Sequence, residues 1–195
     1  FVSSTNVLLY ERITPIFVDV DPMTGNIDPQ QVEQAVHDLT FSRAAAQKWL
    51  PPKGVSDSGQ LKGMIAIDVF GQPADFDALR TITDPFQLKV IEDSCEALGA
   101  EYKNRKAGTL GDFGVFAFYP NKQITTGEGG LVISNHDEDA DKIRAMRNQG
   151  RAPGDTWLEH TYLGYNYRLD ELSAALGAAQ MKRIRELMTA RQRVA

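Results

Sequence analysis

Short apolar segments alternate along this chain with longer segments whose apolar residues recur at helical spacing. Five short segments are apolar and rich in β-branched or aromatic residues, which predicts buried strands at residues 15–20, 64–70, 88–93, 115–119 and 131–134. Helical spacing predicts helices at residues 28–39, 75–82 and 137–148, and a long helix from Leu169. This alternation predicts an α/β fold with a mostly parallel mixed sheet and helices on both of its faces.

Residue types near the predicted helix ends support these assignments. Asp28 followed by Pro29 is a typical helix start, because Asp caps free N–H groups and Pro fits the first helical position. The helix at 137–148 is acidic first and basic later, as the helix dipole favours. Residues 40–62 are polar and contain a Pro-Pro pair, which predicts an exposed loop or insertion.

Composition narrows the classes of protein. The 195 residues are 42% hydrophobic and 24% charged, which suits one globular domain with a sizeable core. The net charge of −5 argues against a nucleic-acid partner, and no apolar run approaches the roughly 20 residues that span a membrane. Cys95 is the single cysteine, so we expect a small buried residue, no internal disulfide and a cytoplasmic location. Because the chain starts at Phe1 and ends within a predicted helix, we expect a fragment of a longer protein.

The first candidate for chemistry is an aspartate at a strand end. In α/β sheets, ligands collect at the carboxyl ends of the strands. Asp93 ends the predicted strand 88–93, where a half-buried carboxylate needs a partner. The alternative is that Asp93 caps a helix that starts near Ser94.

The second candidate is a lysine after another predicted strand. Lys122 follows residues 115–119 and precedes Gly127, Gly129 and Gly130. Glycines let the backbone approach a ligand closely, and a lysine held in a partly desolvated loop can act as a nucleophile. The alternatives are a solvated surface lysine and an ordinary hairpin.

Asp93 and Lys122 together indicate more than either residue alone. Pyridoxal 5′-phosphate (PLP) chemistry needs a lysine that binds the cofactor and shuttles a proton, and a carboxylate that keeps the pyridine nitrogen protonated. Two strand ends that present these residues therefore predict a PLP site. The glycine-rich segment matches neither the GxxxxGK[ST] phosphate loop nor GxGxxG, and no metal ligands are predicted.

Six segments resemble the DegT/DnrJ/StrS family of PLP-dependent sugar aminotransferases, and they cover nearly the whole chain in the family's order. They are FVSSTNVLLY, PIFVDVDPMTGNIDP, DVFGQPADFDAL, VIEDSCEALGAEYKNRKAGTLGDFGVFAFYPNKQITTGEGGLVISN, RNQGR and LGYNYRLDELSAALGAAQMKRI. The resemblance implies the large domain of a fold-type I PLP-dependent transferase in residues 1–168, with its N-terminal part missing. It also implies a long helix in residues 169–195 that leads to an absent C-terminal small domain.

The resemblance implies a role for each matching residue. Lys122, in FYPNK, is similar to the lysine that forms the Schiff base with PLP, and Asp93, in IED, to the partner of the pyridine nitrogen. Phe1 matches an aromatic residue that stacks on the ring, and Glu96 matches a position near the ring hydroxyl. Asn166, in GYNYR, matches an asparagine that reaches the phosphate of the neighbouring subunit's PLP, which implies a homodimer.

One further position matches the family pattern only weakly, and another differs from it. Tyr119 matches a substrate-side position, whereas Ala117 stands where relatives usually carry a phosphate-binding serine. The residues alone leave other interpretations open. Phe1 and Tyr119 are equally suited to a core, Glu96 to the surface of a helix, and Asn166 to a turn.

The implied function is the transfer of an amino group, from glutamate by family analogy, to a keto-sugar attached to a nucleoside diphosphate. Such products feed polysaccharide or glycoside biosynthesis. Lys122 would carry the proton between the substrate carbon and the cofactor. Two alternatives stay open: a PLP- or PMP-dependent sugar dehydratase, in which relatives replace the lysine with histidine, and a non-catalytic binding or regulatory module.

Overall fold

The computed structural model describes residues 1–53 and 59–194, whose strands form one four-stranded sheet and one short hairpin. The strands are β1 (Gly63–Ile67), β2 (Lys89–Asp93), β3 (Glu101–Tyr102), β4 (Arg105–Lys106), β5 (Phe113–Ala117) and β6 (Gly130–Ser134). The helices are α1 (Val2–Tyr10), α2 (Pro29–Phe41), α3 (Arg43–Ala46), α4 (Phe76–Thr83), α5 (Asp137–Arg147), α6 (Glu171–Met181) and α7 (Ile184–Gln192). Among the described residues, no helix combines the length and apolar character needed to cross a membrane.

Three strands of the sheet are parallel and one is antiparallel. The order is β1-β2-β5-β6, with β6 antiparallel to β5. Ile67 lies opposite Asp93, and Asp93 lies opposite Val115, so the carboxyl ends of the three parallel strands meet at one end of the sheet. The predicted α/β fold with a mostly parallel mixed sheet is confirmed.

The core joins α2 and α4 to strands β1 and β2. Phe76 and Leu79 of α4 have no exposed surface, and burying each contributes about 1.5–3 kcal/mol. Asp75 begins this helix, because its side chain accepts a hydrogen bond from the N–H of Ala78 at 3.2 Å. Helix α4 therefore covers the face of β2 to which Val90 belongs.

Strand β2 carries two neighbouring carboxylates with different surroundings. Glu92 is fully buried and accepts hydrogen bonds from the N–H groups of Gly108, Leu110 and Gly111, at 2.6, 2.7 and 3.2 Å. Successive side chains of a strand point to opposite faces of the sheet. The buried position of Glu92 therefore directs the half-buried Asp93 to the other face.

Two predicted helices are confirmed with nearly the expected bounds. The N–H of Gln30 donates to Asp28, which caps α2 as predicted. Helix α5 has acidic residues in its first turn and basic residues in its last, in agreement with the predicted helix at 137–148.

The predicted strand at residues 15–20 is wrong. Only Val20 of this segment pairs, in an isolated bridge with Ile27 on the other side of a turn. Phe17 is 68% exposed, whereas Val18 is partly buried and packs against the core. The predicted strand at 64–70 is too long, because β1 ends at Ile67 and a 3-10 turn follows, in which Phe70 has a φ of 55°.

The predicted exposed loop at 40–62 is wrong for its first part. Helix α2 extends to Phe41, and α3 follows with Ser42 as its cap, whose hydroxyl accepts from the N–H of Ala45 at 3.2 Å. The alanine-rich sequence favours this helix. Ala46 within it and Leu50 after it are buried. Residues 54–58 of this prediction lie outside the described residues.

The single long helix predicted from Leu169 is also wrong. Two helices, α6 and α7, stand in its place, and Asp170 caps the first of them. Arg183 interrupts the helical backbone with φ −110° and ψ 11°, and its side chain pairs with Glu186 in the first turn of α7. Helix α1 and the β3–β4 hairpin have no counterpart in the predictions from sequence.

Candidate active site

Asp93 lies at the end of β2, where its carboxylate has two described donors. The hydroxyl of Ser4, on α1, donates to Oδ2 at 2.8 Å, and the N–H of Cys95 donates to Oδ1 at 3.3 Å. No helix starts at Ser94, which begins a turn instead, so the predicted helix cap is wrong. The contact with Ser4 has no signal in the local sequence, because the two residues are distant in the chain.

Lys122 lies in a turn after β5. Its N–H donates to the carbonyl of Tyr119 at 3.0 Å, and its side chain is only 17% exposed. Nζ of Lys122 lies 3.3 Å from Oε1 of Glu96. The alternative of a fully solvated surface lysine is therefore wrong.

Glu96 connects the turn after β2 to two other segments. Oε2 of Glu96 accepts from the N–H of Phe70 at 3.2 Å, and its backbone carbonyl accepts from the side chain of Gln123. Glu96 lies in a turn and not in a helix, so the helical part of that interpretation is wrong, whereas its surface position is confirmed by a side chain that is 45% exposed. The residue thus joins the end of β1, the turn after β2 and the segment that carries Lys122.

The thiol of Cys95 lies among the charged groups of the site. Burial, with smaller contributions from Asp93 and Glu96, raises the pKa of the Cys95 thiol to about 12, whereas the charge of Lys122 opposes the rise. Cys95 stands in the turn between Asp93 and Glu96, and Nζ of Lys122 lies 3.3 Å from Oε1 of Glu96, so these charged groups lie at the same end of the sheet. A thiol that stays protonated is a poor nucleophile, and Cys95 is partly buried and not fully buried as predicted.

Asp68 is a buried carboxyl beneath this site that the sequence analysis missed. Its backbone N–H donates to the carbonyl of Asp93 at 3.0 Å, and its Oδ2 accepts from the hydroxyl of Ser94 at 2.7 Å. Burial raises the pKa of Asp68 from 3.8 to about 7, and the neighbouring Glu92 acts in the same direction. An aspartate directly after an apolar strand was the available signal.

The segment around Lys122, residues 118–129, folds back on itself; we refer to it as the lysine loop. The N–H and the carbonyl of Phe118 pair with the carbonyl of Gly129 and the N–H of Thr126, at 2.8 and 2.9 Å. Gly127 and Gly129 have φ values of 83° and 152°, a region that favours glycine. These two glycines let the loop close directly next to the strand that delivers Lys122.

The other predicted site residues are Phe1, Tyr119 and Asn166. Phe1 is 96% exposed at the start of α1, three residues before Ser4, and Tyr119 is 52% exposed. Neither is a core residue. The backbone of Asn166 forms an extended bridge with Asn148 and not a turn, and no described contact connects it to Asp93 or Lys122.

Two strand ends, a shielded lysine and three nearby carboxylates define the site, and comparison with known proteins identifies its family. The sequence model of the DegT/DnrJ/EryC1/StrS aminotransferase family matches residues 1–195. The chain belongs to this family. GDP-perosamine synthase of Caulobacter vibrioides is 36% identical over 194 residues, which cover 100% of this chain and 46% of the synthase.

Solved structures show the same relationship. A DegT DnrJ EryC1 StrS aminotransferase from Brucella abortus matches with a TM-score of 0.84 and 30% identity, covering 100% of this chain and 48% of that chain. A GDP-4-keto-6-deoxy-D-mannose-3-dehydratase of Escherichia coli with bound hydrated PLP matches with a TM-score of 0.72 and 26% identity, covering 91% and 44%. These matches confirm the predicted fold of a fold-type I PLP-dependent transferase. The chain spans about half the length of the relatives it matches.

Proposed function

We propose that the full-length protein is a PLP-dependent aminotransferase that transfers an amino group, with glutamate as donor, to a nucleotide-linked keto-sugar. The observation that supports this proposal is that β2 ends at Asp93, and that Lys122 follows the neighbouring parallel strand β5 with its Nζ 3.3 Å from Oε1 of Glu96. Membership of an aminotransferase family supports the reaction class, and the similarity to GDP-perosamine synthase supports a nucleotide-sugar substrate.

The residues of the site fit a PLP molecule. A carboxylate offers about four lone-pair positions, and Asp93 has two described donors, so it retains capacity for a protonated ring nitrogen. Lys122 would hold the cofactor covalently, and Glu96 would lie near the ring hydroxyl. When bound, PLP supplies an electron sink for charge that develops on the substrate carbon.

Lys122 would also move the proton. As a neutral amine, Nζ accepts a proton from the substrate carbon, and as an ammonium it returns the proton. Oε1 of Glu96 lies 3.3 Å from Nζ and helps to fix its position. The low exposure of the side chain keeps bulk water from taking the proton instead.

The proposal also gives roles to three further residues and includes a homodimer. Phe1 would stack on the ring, Tyr119 would face the substrate, and Asn166 would reach the phosphate site of a second subunit in a homodimer. The exposed side chains of Phe1 and Tyr119 fit contacts made with a ligand or a partner. Residues 1–168 would form the PLP-binding domain, and 169–195, with α6 and α7, would lead to a further domain. A cytoplasmic location belongs to the same proposal.

The test uses the full-length enzyme with PLP, glutamate and a panel of UDP-, dTDP- and GDP-linked keto-sugars. Mass spectrometry is expected to show replacement of the keto oxygen by an amine. Lys122→Ala should abolish both this product and the visible absorbance of lysine-bound PLP. A full-length protein that never takes up PLP would overturn the proposal.

The same experiment separates a second candidate. Because a dehydratase of Escherichia coli shares this fold, loss of water is the competing reaction. A product lighter by one water, with no nitrogen gained, would favour it. The presence of Lys122 favours amine transfer.

A further inference from the structure

The lysine loop is held from outside by a glutamine of α6. The side chain of Gln180 makes two hydrogen bonds with the backbone of Thr125: Oε1 accepts from its N–H at 3.1 Å, and Nε2 donates to its carbonyl. Both backbone groups of one residue are thus bound by one side chain. A reciprocal pair of this kind fixes the position and the orientation of the loop backbone more strictly than a single hydrogen bond.

A second contact comes from α7 and reaches Lys122 itself. Nη2 of Arg191 donates to the backbone carbonyl of Lys122 at 2.9 Å. The same helix also faces the turn after β2, because the side chain of Met188 lies 3.3 Å from where a Cβ on Gly99 would be. Helix α7 therefore touches both segments that build the candidate site.

The loop and α6 approach each other closely. Gly177 is buried, and a Cβ at this position would lie 2.8 Å from Cγ2 of Thr126. Beyond this contact lies a groove of about 490 Å³, lined by Gln123 of the loop and, among others, by Leu187 and Val194. Gln180 and Arg191 also line this groove and make direct polar contacts with the backbone of the loop.

We propose that Gln180 and Arg191 are positioning residues that hold the backbone of the lysine loop, and with it Nζ of Lys122, in the reactive arrangement. The inference rests on the proposed role of Lys122. Displacement of a reacting group by about 1 Å can cost about a hundredfold in rate. Regions with fewer buried contacts open more readily. The loop is buried at Ile124 and Thr126, and Gln180 and Arg191 hold it at the less buried positions Thr125 and Lys122.

Hydrogen exchange tests the attachment without cofactor. In the full-length protein, Gln180→Met keeps the length of the side chain and removes both hydrogen bonds. The amide of Thr125 should then exchange about tenfold faster, since a lost hydrogen bond is worth roughly one such factor. Gln192→Met, at an exposed glutamine of α7, is the matched control and should leave this amide unchanged. An unchanged rate in Gln180→Met would overturn the attachment.

Covalent capture of PLP tests the positioning. Borohydride reduction followed by peptide mass spectrometry measures how fast PLP attaches to Lys122. Gln180→Met and Arg191→Met should slow attachment and lower kcat about tenfold with little change in KM, and Arg191→Lys should restore part of the loss. Faster exchange at Thr125 with unchanged attachment and kcat would overturn the positioning role. A parent protein that takes up no PLP would overturn the proposed function and, with it, this role.

Discussion

Asp93 and Lys122 reach the same end of the sheet but are held in different ways. The neighbours of Asp93 in the chain, Glu92 and Ser94, are fully buried, and their side chains are hydrogen-bonded. Lys122 lies on a loop whose contacts with Gln180 and Arg191 are partly or fully open to solvent. Buried hydrogen bonds open rarely and exposed ones often, so the strand that carries Asp93 is held more firmly than the contacts of the lysine loop with α6 and α7, although Ile124 and Thr126 of the loop are buried.

This difference suits the two proposed tasks. A group that holds a ring nitrogen needs one fixed position. A group that binds a cofactor, releases it and carries a proton needs a short range of movement.

The largest effect is expected at Glu92. Glu92→Leu removes the acceptor of three buried N–H groups, so the free energy of unfolding should fall by about 3–5 kcal/mol. Urea titration of the full-length protein measures the loss. Glu92→Gln is the matched control, because it keeps the shape and one acceptor, and it should lose clearly less. Equal losses in both variants would show that shape and not hydrogen bonding matters at Glu92.

A pH effect is expected at Asp68. Because the folded state raises the pKa of Asp68 from 3.8 to about 7, the folded protein retains a proton that the unfolded chain has released. Stability should therefore fall as the pH rises from about 4 to 7, by up to about 1.4 kcal/mol per pH unit, and level off above that window. Asp68→Asn imitates the protonated form and should flatten this slope. Urea titrations of both proteins between about pH 4 and 7 measure the two slopes. Equal slopes in the parent protein and in Asp68→Asn would contradict the raised pKa of Asp68.

A smaller effect is expected where α6 meets the lysine loop. Gly177→Ala would bring a Cβ within 2.8 Å of Thr126, so the loop or the helix must shift, at a cost of about 1–3 kcal/mol. Exchange of the Thr125 amide should increase, whereas amides of β2 should keep their protection. Ala178→Gly, one residue further along the exposed side of α6, is a control for helix propensity. Equal changes in β2 and in the loop would mean that the two sides are not separate.

The smallest effect is expected at Ser4. Ser4→Ala removes one donor to Asp93, worth about 1 kcal/mol, so PLP should bind the full-length enzyme about fivefold more weakly. Equilibrium dialysis measures the affinity. Ser3→Ala, at an exposed neighbour on α1, should bind PLP like the parent. Unchanged affinity in Ser4→Ala would mean that the carboxylate needs no support from α1.

The sequence predicted what depends on local pattern. Asp28 and Pro29 marked a helix start, and Asp93 and Lys122 were found because each lies near the end of a predicted apolar strand. The segment at 15–20 has the same composition as a strand, but a strand also needs partners, and composition does not show whether they exist.

The remaining contacts depend on tertiary structure. Gln180 and Arg191 lie far along the chain from the lysine loop, so no spacing rule connects them. Ser4 reaches Asp93 from a helix that was not predicted. Glu92 was visible as part of a strand, but its burial is explained only by the three N–H groups that a distant turn supplies.

The two adjacent carboxylates of β2, Glu92 and Asp93, favour one register of this strand over a register shifted by one residue. If β2 slipped by one residue against its neighbours, Asp93 would turn inward and Glu92 outward, because a one-residue slip exchanges the faces of a strand. The shorter aspartate would then replace the longer glutamate in front of three N–H groups that it is too short to satisfy together. The difference of one methylene group between neighbouring acids thus disfavours misaligned folding of the strand that presents Asp93.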